Sequence, residues 1–237
     1  MSIQGEPQPH IENLILAGLV VHERNAVQRL SAIVGCTAGQ VLQAASGSAE
    51  YIFFPIDAVL APVRRIGGGN SVDLGLVGYE GLIGCDSFTE RRRQIDDLVV
   101  RSGGTAYCMP AGDFRRQFDR RGGLHGAVLR FSSAFMLQLG QNAVCSRFHP
   151  LEARIARWLL MIHDRGGVEI ELSAASLACS LGTEERFVVD ALERLAASRA
   201  IRIRRHSLSV LEEETLEMRA CDCYEELRQI YEDVMPS

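Results

Sequence analysis

The chain contains no lysine. All 25 of its Lys+Arg cations are arginines, set against 30 acidic residues for a formal net charge of −5. An acidic total argues against blanket electrostatic binding to nucleic acid but leaves room for a local basic face. No apolar run reaches the ~18 residues of a membrane span. The opening MSIQGEPQPH has no basic segment leading into an apolar one, so we expect no secretory signal, no membrane partner and a cytoplasmic location. The signatures G-x-S-x-G, Walker A, H-E-x-x-H and paired C-x-x-C are all missing, and no enzymatic activity is expected. Gly67-Gly68-Gly69 joins two strand-like runs and opens no helix, which makes it a hairpin turn rather than a phosphate loop.

Seven cysteines, an odd and scattered set (Cys36, Cys85, Cys108, Cys145, Cys179, Cys221, Cys223), do not make a disulfide framework. They read as reduced thiols, several of them small core residues. The one close pair is Cys221-Asp222-Cys223, and a redox-sensing variant would use it. With no second pair nearby it is an unspecific zinc or iron–sulfur signal, so no metal site is expected. The six histidines show no ligand pattern.

With 47% apolar and 23% charged residues, the chain has an ordinary globular balance and is long enough for one large or two small cores. Three stretches follow one another. Residues 1–122 open with a helical pattern through Ile11, Leu14, Ile15, Leu19 and Val20, continuing to Leu30 and Ile33. Short strand-like runs then recur at Val41-Leu42, Tyr51–Phe54, Val59–Val63, Val72–Val77 and Asp97–Val100, with Gly, Ser and Pro between them. That rhythm predicts an antiparallel barrel or sandwich.

Residues 123–148 read as one long helix. Leu124, Val128, Phe131, Phe135, Gln138, Asn142 and Cys145 fall at alternating four- and three-residue steps. Such a stripe needs a partner surface. Periodicity leaves two open: the chain's own body, or a second copy in a parallel dimer, where Gln138 and Asn142 would set register.

Residues 149–237 begin at a helix boundary, His149-Pro150. After the helical run Leu151–Ile162 and the alternating Val168–Leu172, Ser173 is placed to cap a short helix that Gly182 ends. A second helix follows, with Thr183 as N-cap and Phe187, Val188, Ala191, Leu192 and Leu195 as its buried stripe. Residues 200–211 then form a hairpin with a basic tip. Helix, glycine turn, helix and basic hairpin make a winged helix-turn-helix.

This order of β-rich domain, long helix and winged helix-turn-helix resembles the CRP/FNR superfamily of transcription regulators, over about residues 11–224. The stretches that carry the resemblance are Tyr51-Ile-Phe-Phe-Pro, Val77-Gly-Tyr-Glu-Gly-Leu-Ile-Gly84, His149-Pro-Leu-Glu-Ala-Arg-Ile-Ala-Arg-Trp-Leu-Leu160 and Ala220-Cys-Asp-Cys-Tyr224. The resemblance implies an α+β chain: an N-terminal antiparallel, jelly-roll-like β-roll of the cyclic-nucleotide-binding type (1–122), a dimerisation helix (123–148) and a C-terminal winged helix-turn-helix (149–237). It also implies a homodimer on two-fold symmetric, double-stranded promoter DNA, with RNA polymerase as a further partner. The dimer helix would use Leu124, Val128, Phe131, Phe135, Gln138 and Asn142. The DNA-facing set would be Ser173, Thr183, Glu184, Glu185, Arg186, Asp190, Arg202, Arg204, Arg205 and His206, with Glu185, Arg186 and Asp190 at the base-reading positions.

Two departures from the family pattern matter. The family's phosphate cassette pairs a Gly-Glu turn with a downstream Arg-Ser. Here Gly84-Cys85 lacks the carboxylate, and Arg93-Gln94 is followed by Asp96 and Asp97, whose charge repels a phosphate. Cyclic AMP is therefore not the expected effector; the effector is left unassigned and no cofactor is expected. No cysteine precedes Cys36, so an N-terminal iron–sulfur cluster is unsupported. The second departure is the second helix, which carries Glu184, Glu185, Asp190 and Glu193. Residues 182–206 hold six Arg against three Glu and one Asp, a net +2. Residues 168–219 hold seven Arg against nine Glu and one Asp, a net −3. Two readings follow: a DNA-binding regulator, or a chain that keeps the fold, has lost DNA binding and acts through protein contacts.

Overall fold

The short apolar runs of the first half pair into two antiparallel sheets, and helices make up most of the remainder, so the chain is α+β. The computed structural model describes residues 12–45, 50–67, 70–84, 94–167, 170–205 and 207–234. Helices α1 (Leu14–Ala17) and α2 (Val21–Arg29) precede strands β1 (Ala32–Cys36), β2 (Val41–Gln43), β3 (Tyr51–Pro55), β4 (Val59–Arg65), β5 (Ser71–Asp73), β6 (Asp97–Ser102) and β7 (Gly104–Pro110), and helix α3 (Ala111–Phe118) follows them. One sheet has the order β1-β7-β3, the other β2-β6-β4-β5. Ile52, Phe54, Leu60, Leu98, Val100 and Met109 belong to the core of this roll. Asn13 pins the chain entry to it. Its Oδ1 accepts from Ile15 N at 3.1 Å, and its Nδ2 donates to Pro55 O at 3.0 Å and Gly81 O at 2.7 Å.

Three expectations change here. The first helical pattern does not run on to Ile33, which lies exposed in β1. The run Val72–Val77 is a strand only at β5; beyond it, Val77 makes a single bridge to Leu60. Strand β7, the centre of its sheet, gave no signal because Gly104–Pro110 mixes small, polar and aromatic residues without alternation.

Strands β4 and β6 are buried on both faces. Leu60, Leu98 and Val100 enter the roll core, whereas Val59, Ala61, Val63 and Val99 enter a second core that holds the C-terminal helices. This explains why both strands read as continuous apolar runs. The second core is built on α5 (Leu151–His163), α6 (Ala174–Leu181) and α7 (Glu185–Ala197), with β8 (Ile170–Glu171), β9 (Ile201–Ile203), β10 (Ser207–Val210), α8 (Glu213–Glu217) and α9 (Cys223–Val234) around them. Two buried ion pairs lie on this side. Arg101 Nε donates to Asp73 Oδ2 at 2.9 Å within the sheet. Arg165, just after α5, donates from Nε to Glu80 Oε1 at 2.8 Å and from Nη1 to Met161 O at 2.6 Å.

The long helix is α4 (Gly123–Phe148). Its heptad stripe does not face a second copy, which corrects the dimer assignment of those residues. Leu124, Val128 and Phe131 are part of the roll core, and Phe135 packs against it. Gln138 is fully buried. Its Oε1 accepts from Leu76 N at 2.6 Å, and its Nε2 donates to Leu76 O at 3.2 Å and to the Tyr231 hydroxyl of α9 at 2.6 Å. Asn142 donates to Leu74 O at 2.7 Å and accepts from Arg157 Nη1 at 2.7 Å. The two amides read the backbone of the chain's own roll. The exposed face of α4 is a different one, with Leu129, Met136, Leu137, Val144 and Phe148.

Replacing Gln138 by Ala removes three hydrogen bonds and strands the buried Leu76 N–H. It is expected to lower unfolding stability by about 3 kcal/mol, read by urea denaturation at several protein concentrations. A loss that vanished at high concentration would instead place Gln138 between copies.

Candidate nucleic-acid interface

Helix α6 starts on a side-chain cap. Ser173 Oγ accepts from Ser176 N at 3.1 Å, satisfying one of the free N–H groups of the first turn. It ends at Gly182, whose φ of 63° and ψ of 46° are left-handed. The Gly182 N–H bonds Cys179 O at 3.3 Å and the Thr183 N–H bonds Ala178 O at 3.0 Å, a Schellman closure. Arg154 Nη2 takes Leu181 O at 2.7 Å. The turn leads into α7, whose N-cap is Glu184 rather than Thr183, without a side-chain cap bond. The closure uses the Thr183 amide, and the helix starts one residue later.

Val188, Ala191, Leu192 and Leu195 are buried along one side of α7. Phe187 is not: it is 45% exposed, which corrects its place in the stripe. The Arg186 guanidinium stands 4.6 Å from the centre of the Phe187 ring, a cation–π distance. Arg186 also pairs with Glu184 (Nε to Oε2, 3.0 Å). Glu184, Glu185, Arg186, Asp190 and Glu193 are all exposed on α7 or its cap. Glu152 of α5 pairs with two more arginines beside this surface, Arg194 at 2.7 Å and Arg219 at 3.3 Å.

The wing pairs β9 with β10 (Ile201 opposite Val210, Ile203 opposite Leu208) and β10 with β8. Arg204 N bonds Ser207 O at 2.8 Å at its turn. Arg202, Arg204 and Arg205 are exposed there. His206 lies outside the described residues. The structure thus brings the α7 set, the turn residue Thr183, the capping Ser173 and the wing arginines into one C-terminal unit.

Of the expected ligand-pocket residues, Gly84 and Gln94 line one cavity of about 370 Å³ between the roll and α4. Cys85 and Arg93 lie outside the described residues. Asp96 and Asp97 form part of the same wall. Asp96 pairs with Arg64 and Asp97 with Arg65. Gln94 is buried, and its Nε2 donates to Asp96 O at 2.8 Å.

One constellation is assembled from segments far apart in the chain. Among the described residues, Cys145, His149, Cys221 and Cys223 bring one ligand atom each within 4.8 Å of one another. Cys145 Sγ lies 3.5 Å from Cys221 Sγ, and Cys223 Sγ lies 3.3 Å from His149 Nδ1. The hydrogen bond with Cys221 pulls the Cys145 thiol down to about 5, against burial, which raises it. The same bond pushes Cys221 up. The C-x-C pair was visible in the sequence, but nothing in their spacing tied it to a Cys and a His four residues apart at the end of α4.

No protein-family model and no curated protein sequence matches the chain. Solved structures do. A CRP-family transcriptional regulator of Thermus thermophilus superposes with a TM-score of 0.66 at 18% identity, over 79% of this chain and 96% of that one. FixK2 of Bradyrhizobium japonicum gives 0.65 at 10% identity, over 81% and 98%. The c-di-GMP-responsive global regulator CLP of Xanthomonas campestris gives 0.63 at 14% identity, over 81% and 100%. The chain has the fold of CRP/FNR transcription regulators, as its motifs implied. No helix among the described residues is long and apolar enough to cross a membrane.

Ser173→Ala removes the α6 cap and is expected to lower unfolding stability by about 1 kcal/mol with unchanged secondary structure, measured by thermal unfolding and circular dichroism. An unchanged stability would show that the cap bond is not made.

Proposed function

We propose that the protein is a homodimeric DNA-binding transcription regulator of the CRP/FNR type whose pocket does not answer to cyclic AMP. The observation that carries this reading is the complete helix–turn–helix–wing unit, capped at both ends of α6 and carrying three exposed arginines on the wing. Arg202, Arg204 and Arg205 hold phosphates, and Arg186 reads a base edge once it leaves Glu184. The second copy packs on the exposed face of α4, through Leu129, Met136, Leu137 and Val144, where Gly140 lets the helices approach closely. A parallel pair of these helices would put the two binding units at the same end, side by side, as two half-sites about one DNA turn (about 34–36 Å) apart require. Promoter DNA with a two-fold symmetric site is the partner, and RNA polymerase a further one. At the pocket, Gly84 is followed by Cys85, so the carboxylate that the family's cassette uses is missing. The residue spans 1–122, 123–148 and 149–237 serve as sensor, dimer helix and DNA-binding unit.

A second reading has its own observation. The outer face of α7 combines four carboxylates with the exposed Phe187 and Val189, a surface suited to a protein partner.

Fluorescence anisotropy against the DNA flanking its own gene separates the two readings. For DNA binding, log K should fall with log salt with a slope of about −5 if three phosphates per copy are neutralised. Arg204→Ala should flatten the slope by about 2 and weaken all sites alike, whereas Arg186→Ala should change site preference. Glu184→Gln should tighten binding several-fold at low salt. No binding at low salt, with a protein partner lost on Glu185→Arg, would leave the second reading. Leu137→Glu should give a monomer by light scattering, and cyclic AMP should produce no thermal shift. A dimer unaffected by Leu137→Glu would move the interface off this face.

A further inference from the structure

Two segments far apart in the chain meet at the end of α4. Cys145 and His149 stand one helical turn apart where α4 stops, and His149 is its C-cap. Cys221 and Cys223 lie at the start of α9, the helix that returns to pack along α4. Cys145 and Cys223 are buried, and Cys221 and His149 are half-buried.

The spacing matches one ion. Zinc bonds of about 2.3 Å to sulfur and about 2.0–2.1 Å to nitrogen put tetrahedral ligands about 3.8 Å (S to S) and about 3.6 Å (S to N) apart. The observed 3.5 Å and 3.3 Å, and the 4.8 Å limit on the whole set, sit close to those edges. An iron–sulfur cluster fits less well, because its ligands bind different irons and must stand further apart than atoms converging on one ion. Further groups support the ligand set. Gln141 Nε2 donates to Cys223 Sγ at 3.0 Å, the kind of outer contact that orients a thiolate ligand. Arg154 and Arg157 act electrostatically on the thiols. Their charge offsets the excess negative charge that three thiolates keep around a dication. Arg157 Nε is buried without a hydrogen-bond partner.

We propose that Cys145, His149, Cys221 and Cys223 form a closed tetrahedral zinc site that staples α9 to the end of α4. All four positions come from the protein, so the site is structural, with no open position for chemistry. It joins the long helix to the segment that follows the wing, at the junction between the roll and the C-terminal unit. The proposal does not depend on DNA binding.

The test uses the full chain purified with a reductant and no chelator. Elemental analysis should find one zinc per chain. After removal of zinc, cobalt(II) should give the visible bands of a tetrahedral thiolate-rich site, and zinc should bleach them. Cys223→Ser and Cys145→Ser should lose stoichiometric loading, while Cys179→Ser, at an exposed cysteine of α6 outside the cluster, should keep it. A ligand variant could misfold, so His149→Cys supplies a second check: it should retain loading and shift the cobalt spectrum toward four sulfurs. Gln141→Ala should weaken zinc affinity by roughly 10-fold. Chelation should lower the melting temperature by roughly 5 °C or more, restored by zinc. Wild-type loading no higher than that of Cys223→Ser, an octahedral cobalt spectrum, or a Cys145–Cys221 disulfide in the isolated protein would each overturn the site.

Discussion

Strands β4 and β6 bury apolar side chains on both faces, and the chain must cover them twice. The roll closes over one face with Leu60, Leu98 and Val100; the C-terminal helices close over the other against Val59, Ala61, Val63 and Val99. An exposed outer face of such strands would be both a hydrophobic patch and an aggregation hazard. The C-terminal unit is thus part of the sheet's burial, held against its own roll in this structure. Two buried charge pairs lie in that junction, Asp73 with Arg101 and Glu80 with Arg165. Breaking such a pair from one side leaves a buried uncompensated charge, which is costly.

The long helix follows from the same constraint. Its most apolar stripe is consumed by the roll, and its polar members reach the roll's backbone. Gln138 satisfies both polar groups of Leu76 and the Tyr231 hydroxyl at once. One buried amide therefore ties together the roll, α4 and α9. A less apolar face is left outward, carrying Leu129, Met136, Leu137 and Val144. The covalent continuity of α4 with α5 across His149-Pro150 then puts the helix-turn-helix directly beyond this face, and the cysteine cluster sits at that same corner.

The charge distribution gives the surface two characters. Positive charge is exposed on the wing, at Arg202, Arg204 and Arg205, whereas α7 presents carboxylates beside Phe187. Several arginines near α7 are occupied: Arg194 and Arg219 by Glu152, Arg186 by Glu184. A net charge summed over the chain shows none of this, because pairing removes cations that the sum still counts.

Local chemistry was legible in the residues. The Ser173 and Gly182 caps, the Val188–Leu195 stripe, the arginine-rich hairpin and the gap left by a missing carboxylate at Gly84-Cys85 each depend on neighbours within a few positions. The sequence by itself determined that helix-turn-helix and most of the strand rhythm, since turns, caps and 3.6-residue periodicity are local energies. Only the tertiary structure decided which surface covers a stripe. Periodicity shows that α4 has an apolar face but not whether a roll or a second copy lies on it. The same limit hid β7, whose burial comes from its two neighbours, and Phe187, which lies at the edge of the stripe. It also hid the Cys145–Cys221 and His149–Cys223 contacts, which span 76 and 74 residues. Such meetings are set by how whole elements pack, and no spacing rule along the chain carries them.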